Sequence, residues 1–186
     1  LIDLLNAGID QADKILADRS PEMNPDERHK LAKALGLSAI KYSDLSSHRM
    51  SDYSFSYDKM LRFEGNTAAF LMYSYVRILG IKRKIGARAD ELIKNAKLDL
   101  NHPSEIALAL HLARFSETLK QVEEELLPNR LTDYLYQLAE KFNAFFRDCR
   151  VEGSPEEASR LKLADLTLKT MREGFHILGI EPVERM

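Results

Sequence analysis

Only one cysteine, Cys149, and no tryptophan occur among 186 residues. A lone thiol excludes an internal disulfide and suits a reducing compartment, so a cytoplasmic setting is expected. Glycine and proline are sparse, at 8 and 6 residues, and no Gly- or Ser-rich stretch marks a flexible linker. No apolar run reaches the roughly 20 residues of a membrane-spanning helix, and the first residues lack a basic-then-apolar leader pattern. No membrane partner is expected. An excess of positive charge is missing too: the formal net charge is −2, which argues against DNA coating. A local basic patch is still able to recognise another nucleic acid. The histidines His29, His48, His102, His111 and His176 are scattered, and none pairs with Cys, Asp or Glu at metal-ligand spacing, so no metal is expected. Neither G-x-G-x-x-G nor G-x-x-x-x-G-K-[ST] occurs, which removes two common phosphate cradles. Cys149 falls on an apolar helical stripe and reads as a small buried hydrophobe, not a nucleophile. No catalytic residue and no cofactor are expected in this chain.

What is present is enough apolar material for a core, 45% of residues, arranged almost throughout at helical spacing. Leu1, Leu5, Ile9, Ala12 and Leu16 form a first stripe. Asn24, Pro25 and Glu27 mark the next helix start, and Gly36 offers a stop. Tyr53, Phe55 and Tyr57 alternate with polar residues between Ser46 and Asp58, a short extended segment or a loop pinned by aromatics. Helices are expected from Thr67 to Ile85 and onward to Ala96. NHPSE, at 101–105, opens another, with Ile106, Leu110, Ala113 and Leu119 facing inward. Leu131, Leu135, Leu138, Phe142, Phe145 and Cys149 share one stripe. Ser154, Pro155 and Glu157 predict a capping box for a last helix carrying Leu161, Ala164, Leu168, Met171, Phe175 and Leu178, and Gly179 can end it. The fold class is all-α: a helical bundle with a small helical N-terminal junction. Residues 1–62 are assigned to the junction and 63–186 to the bundle.

The stretch FEGNTAAFLMYSYVR, residues 63–77, is ambiguous by spacing. Asn66 or Thr67 can cap its helix. Phe70, Tyr73 and Arg77 then lie at i, i+3 and i+7 on one face, with Leu71, Met72, Ile78 and Leu79 free to pack. Core aromatics with a snorkelling arginine would give this pattern. So would rings that stack on unpaired bases beside a guanidinium that contacts phosphate or a base edge. Lys82, Arg83, Lys84 and Arg88 add a basic cluster, which is either a solvated face or a set of phosphate contacts.

The residues from Ser54 to Ile78, SFSYDKMLRFEGNTAAFLMYSYVRI, resemble the arginyl-tRNA synthetases where that family leads into its helical anticodon-binding domain, with a D-x-M-L…G-N-T-A-x-[YF]-L-x-Y-x-x-x-R pattern. LTDYLYQLAEKFNAFFRDCRV is similar to the family's penultimate helix. The ending GFHILGIEPVERM is similar to its closing G-[LF]-x-[IL]-L-G-[IL]-x-x-x-x-x-M. LIDLLNAGIDQA resembles the segment after the K-M-S-K-S-type loop of its catalytic domain. The likeness runs in order along essentially the whole chain.

This class I family activates arginine with ATP and magnesium and transfers it to tRNA. The resemblance therefore implies an arginine tRNA as partner, together with a catalytic domain of the same polypeptide. No H-I-G-H-like motif occurs and Leu1 is not a start methionine, so a C-terminal fragment, inactive by itself, is expected. By position, the family's anticodon-loop contacts fall on Phe70, Tyr73 and Arg77, on Phe146 and Arg150, and on Met186. Phe70 stands where tyrosine is frequent, and Arg150 where some members carry tryptophan. Rival readings are a helical protein–protein module and the related domain of another class I synthetase, such as the cysteine enzyme.

Overall fold

The entries of three helices, at Asn24, Thr67 and His102, follow local side-chain chemistry. A computed structural model describes residues 1–186 and contains nine α-helices and no strand, so the expected all-α class holds. Helix α1 (Ile2–Arg19) buries Gly8, Ala12 and Leu16. Helix α2 (Pro25–Ser46) begins at Asn24, whose side chain accepts from the backbone N–H groups of Asp26 and Glu27. Such a cap is worth about 1 kcal/mol.

Gly36 does not stop α2; it lies inside it. A Cβ there would stand 2.7 Å from the Gly8 carbonyl oxygen. This glycine is kept for a close crossing of α1 and α2, and it gives up some helix propensity to do so.

The segment before the main bundle is a loop pinned by aromatics, not a strand. The Phe55 ring meets Tyr57 edge-on at 4.9 Å, and the Tyr57 hydroxyl donates to the Leu4 carbonyl at 2.8 Å. Helix α3 (Tyr57–Met60) is a single turn. Helix α4 (Ala68–Ile85) is capped by Thr67, whose hydroxyl accepts from Phe70 N–H at 3.2 Å and donates to the Arg62 carbonyl at 2.6 Å. Asn66 is used differently: its Oδ1 lies 2.6 Å from the buried Tyr42 hydroxyl of α2. The Gly65–Asn66 turn is therefore tied down on both sides.

After Gly86, at φ 75°, a short 3-10 turn leads into α5 (Ala89–Asn95). Helix α6 (Pro103–Ala113) has a complete capping box between His102 and Glu105. Its inward face is not the expected one. Glu105, Leu108 and His111 are buried, while Ile106 and Leu110 are 43% and 64% exposed and Ala113 is exposed as well. The two polar groups can face inward because both are satisfied. Glu105 accepts from Arg160 at 2.6 Å, and His111 Nε2 lies 3.0 Å from the Tyr134 carbonyl oxygen. Helix α7 (Phe115–Glu125) follows after a break at Arg114, with Leu119 half-buried.

Helix α8 (Asn129–Asp148) and helix α9 (Glu157–Ile177) form the centre of the core. Leu135, Leu138, Phe142, Phe145, Leu161, Met171 and Phe175 are fully buried, at about 1.5–3 kcal/mol each. The capping box expected at Ser154 does not form. The Ser154 hydroxyl donates to the Val151 carbonyl, and the Glu157 carboxylate accepts from Gly153 N–H and pairs with Arg88 at 3.0 Å. The helix consequently starts two residues later, at Glu157. Gly179, at φ 64°, ends α9 as expected, and Ile180 N–H bonds back to the Phe175 carbonyl.

Candidate nucleic-acid interface

Helices α4 and α8 lie side by side and point the same way. Going up the seam, the Phe70 ring meets Tyr136 at 5.6 Å, Asn143 Nδ2 donates to Ser74 Oγ at 3.0 Å, and Arg77 reaches Asn143 and Phe146. The two segments carry three side chains each at the same sequence offsets: Phe70, Tyr73 and Arg77 on α4, and Asn143 and Phe146 on α8 followed by Arg150 just beyond its end. The lower half of the seam is closed by ring contact, and the upper half opens.

Arg77 is the centre of the open half. Its guanidinium carbon lies 4.6 Å from the Tyr73 ring centroid and 4.8 Å from that of Phe146, and one of its N–H groups donates to Asn143 Oδ1 at 2.6 Å. Tyr73 and Phe146 remain 44% and 40% exposed. Tyr75, on the opposite side, is buried against Phe175 at 5.8 Å and belongs to the core. Leu71, Met72 and Ile78 are fully buried, so the helix divides its aromatics between core and surface.

A cavity of 510 Å³ opens above this cluster. Arg77, Lys84, Arg147 and Arg150 line it with Phe146 and Ile81, and its one carboxylate, Glu152, is ion-paired with Lys84. Arg150 donates to the Glu152 carbonyl at 2.9 Å and is itself held from behind, because Arg160 donates to the Arg150 carbonyl at 2.9 Å. Arg160 is fixed by Glu105. Burial pushes the Glu105 carboxyl up, but Arg160 and the N–H groups of His102 and Asn101 bring it below the usual carboxylate range.

Tyr73, Arg77, Phe146, Arg150 and Lys84 thus come together at one end of α4 and α8. The other residues singled out in the sequence lie apart. Phe70 is half-buried on Tyr136, about two turns down α4. Lys82 is held between Asp165, at 2.8 Å, and Asp90, at 3.3 Å. Arg83 donates to the Glu184 carbonyl at 3.1 Å and so pins the C-terminal tail, while Met186 packs half-buried on the core. Arg88 is paired with Glu157. Sequence reasoning missed Asn143 and Arg147. Asn143 had a legible signal: it precedes Phe146 and Arg150 by the offsets that relate Phe70 to Tyr73 and Arg77.

The chain is an all-helical bundle with a cationic, aromatic-lined cleft, and similarity to known proteins shows the family of helical domains to which it belongs. The family described as the DALR anticodon binding domain matches residues 71–186, and the chain belongs to that family. Residues 1–57 match the description "tRNA synthetases class I (R), catalytic domain". The chain is 59% identical over 186 residues to the arginine–tRNA ligase of Protochlamydia amoebophila (strain UWE25), covering 100% of the chain and 32% of that protein. The chloroplastic/mitochondrial arginine–tRNA ligase of Arabidopsis thaliana is 46% identical over 188 residues, covering 100% and 29%. Among solved structures, arginyl-tRNA synthetase from Plasmodium falciparum superposes with a TM-score of 0.90 at 35% identity, over 100% of the chain and 33% of that protein. The Thermus thermophilus arginyl-tRNA synthetase gives 0.87 at 28% identity, over 99% and 32%. The chain spans about a third of the length of the curated relatives it matches.

Proposed function

We propose that this chain reads the anticodon loop of an arginine tRNA as part of an arginine–tRNA ligase, whose whole form joins arginine to tRNA with ATP in the cytoplasm. The observation that carries the reading is the Arg77 guanidinium held over both Tyr73 and Phe146 at the mouth of a cationic cleft, within a domain of this family. Unpaired bases stack on the exposed rings, each contributing about 1–3 kcal/mol. Arg150 offers a guanidinium plane to the same loop. Arg83, Lys84 and Arg88 face the phosphates, and Lys82 adds charge from its fixed position. Phe70 supports the seam from below, and Met186 closes the tail that Arg83 holds.

Residues 1–62 serve as the junction to the catalytic part, and residues 63–186 as the reading domain. ATP and its magnesium belong to that catalytic part. The cleft between α4 and α8 offers a triphosphate neither a glycine-rich loop nor a helix N-terminus. Every arginine codon has a central G, so every cognate anticodon has a central cytosine, and one cytosine pocket serves all isoacceptors. Titration of the protein with an arginine tRNA, and with the same tRNA changed at the central cytosine, tests this. At least tenfold tighter binding of the unchanged tRNA is expected. Equal binding or none sinks the reading and favours a protein-docking module.

A further inference from the structure

We infer that Asn143 is the positioning residue of this cleft: it turns the Arg77 guanidinium so that its free N–H groups meet a base edge with two adjacent acceptors, which selects cytosine over uracil. The inference rests on the anticodon-loop reading above.

Two rings hold the guanidinium carbon at 4.6 and 4.8 Å from their centroids but leave the group free to slide and to rotate. The 2.6 Å hydrogen bond to Asn143 Oδ1 removes this freedom by holding one corner. Asn143 is held in turn. Its Nδ2 donates to Ser74 Oγ at 3.0 Å, and Ser74, fully buried, donates to the Phe70 carbonyl at 3.2 Å. The chain of bonds therefore ends on the backbone of α4, about two turns below Arg77. A guanidinium has five N–H donors in a fixed fork, so four remain for a ligand.

The partner being an amide also matters. Lys82, Lys84, Arg88 and Arg160 are each paired with a carboxylate, whereas Arg77 bonds to neutral Asn143 and keeps its charge for a ligand. Cytosine presents O2 and N3 as neighbouring acceptors. Uracil places an N–H at position 3, which would confront a donor of the fork. A site arranged around such a pair rejects the mismatched edge, by roughly tenfold to a hundredfold.

The test uses two anticodon stem-loop RNAs that differ only in a central cytosine or uracil. Each is titrated into the unmodified protein, Asn143→Leu and Asn143→Asp. The unmodified protein should favour cytosine by about tenfold or more. Asn143→Leu, similar in size but without the acceptor, should melt as before while its preference falls to within about twofold. Asn143→Asp keeps the acceptor and should keep the preference, with weaker binding of both RNAs because Arg77 is neutralised. An undiminished preference in Asn143→Leu overturns the inference and leaves the anticodon-loop reading standing, and so does a lost preference in Asn143→Asp. No preference in the unmodified protein sinks the anticodon-loop reading itself. If Asn143→Leu does not fold, Ser74→Ala takes its place, with the same expected and overturning results.

Discussion

Helices α1 and α2 meet through glycine, whereas α4 and α8 meet through serine, asparagine and arginine. At the first seam the side chains are gone: a Cβ on Gly36 would lie 2.7 Å from one backbone atom of Gly8 and 2.8 Å from another. The polar bridge across this seam, Arg28 to Asp13 at 3.1 Å, pairs its two charges with each other. At the second seam, polar side chains hold the helices apart, bond across the gap and retain spare donors. The first arrangement gives cohesion alone. The second accepts looser packing in exchange for chemistry at a surface.

That contrast can be broken most severely at Gly36. Gly36→Val forces a side chain into backbone that cannot yield, and should cost roughly 3 kcal/mol in denaturant unfolding. An unchanged midpoint would show that the seam is slack. At the other seam Tyr73→Ala should act the opposite way. RNA binding should weaken by about 1–3 kcal/mol, while loss of the exposed cation–π contact costs stability only about 0.5–1 kcal/mol. Collapse of the helical signal in that variant would return Tyr73 to the core.

A smaller effect concerns acid. Asp165 is almost fully buried; burial pushes its carboxyl up, but hydrogen bonds from Lys169 and Lys82, each at 2.8 Å, bring it below the usual range. A folded value below the unfolded one stabilises the fold above the ordinary carboxylate range, and that gain is lost as pH falls through the folded value. Asp165→Asn should therefore be less stable than the parent at neutral pH, with the gap closing on acidification in pH-dependent unfolding. A gap that stays constant contradicts the ion pairs. The smallest effect is expected for Gly8→Ala. Its Cβ would meet the tip of Ile40 at 2.7 Å, a flexible group that can move aside. The helix-propensity gain of about 1 kcal/mol offsets the remaining strain. A melting shift as large as that of Gly36→Val would show that Ile40 cannot yield.

The stripes of α8 and α9 were legible because they are apolar on one side and buried there without exception. Gly36 misled because its role lies in another helix, which no local pattern records. Ile106 and Leu110 misled for a related reason: Glu105 and His111 take the inward face through partners 55 and 23 residues away in sequence. The Ser154 box failed because its hydroxyl and the Glu157 carboxylate found nearer and better partners. In the cleft, Tyr73 and Arg77 were readable as a pair by spacing. Their meeting with Phe146, and the amide between them, depends on α4 and α8 running in parallel, a relation of two distant segments.

The same parallel arrangement has an electrostatic consequence. Aligned peptide dipoles leave about half a negative charge at a helix C-terminus, and both α4 and α8 direct that end toward the cleft. Lys82, Arg83 and Lys84 occupy the last turn of α4, and Arg147 that of α8. Part of their positive charge is therefore spent on the protein's own backbone before an RNA arrives. The field at the cleft mouth is milder than a count of its cations implies, and the affinity for RNA should fall off with salt more gently than that count suggests.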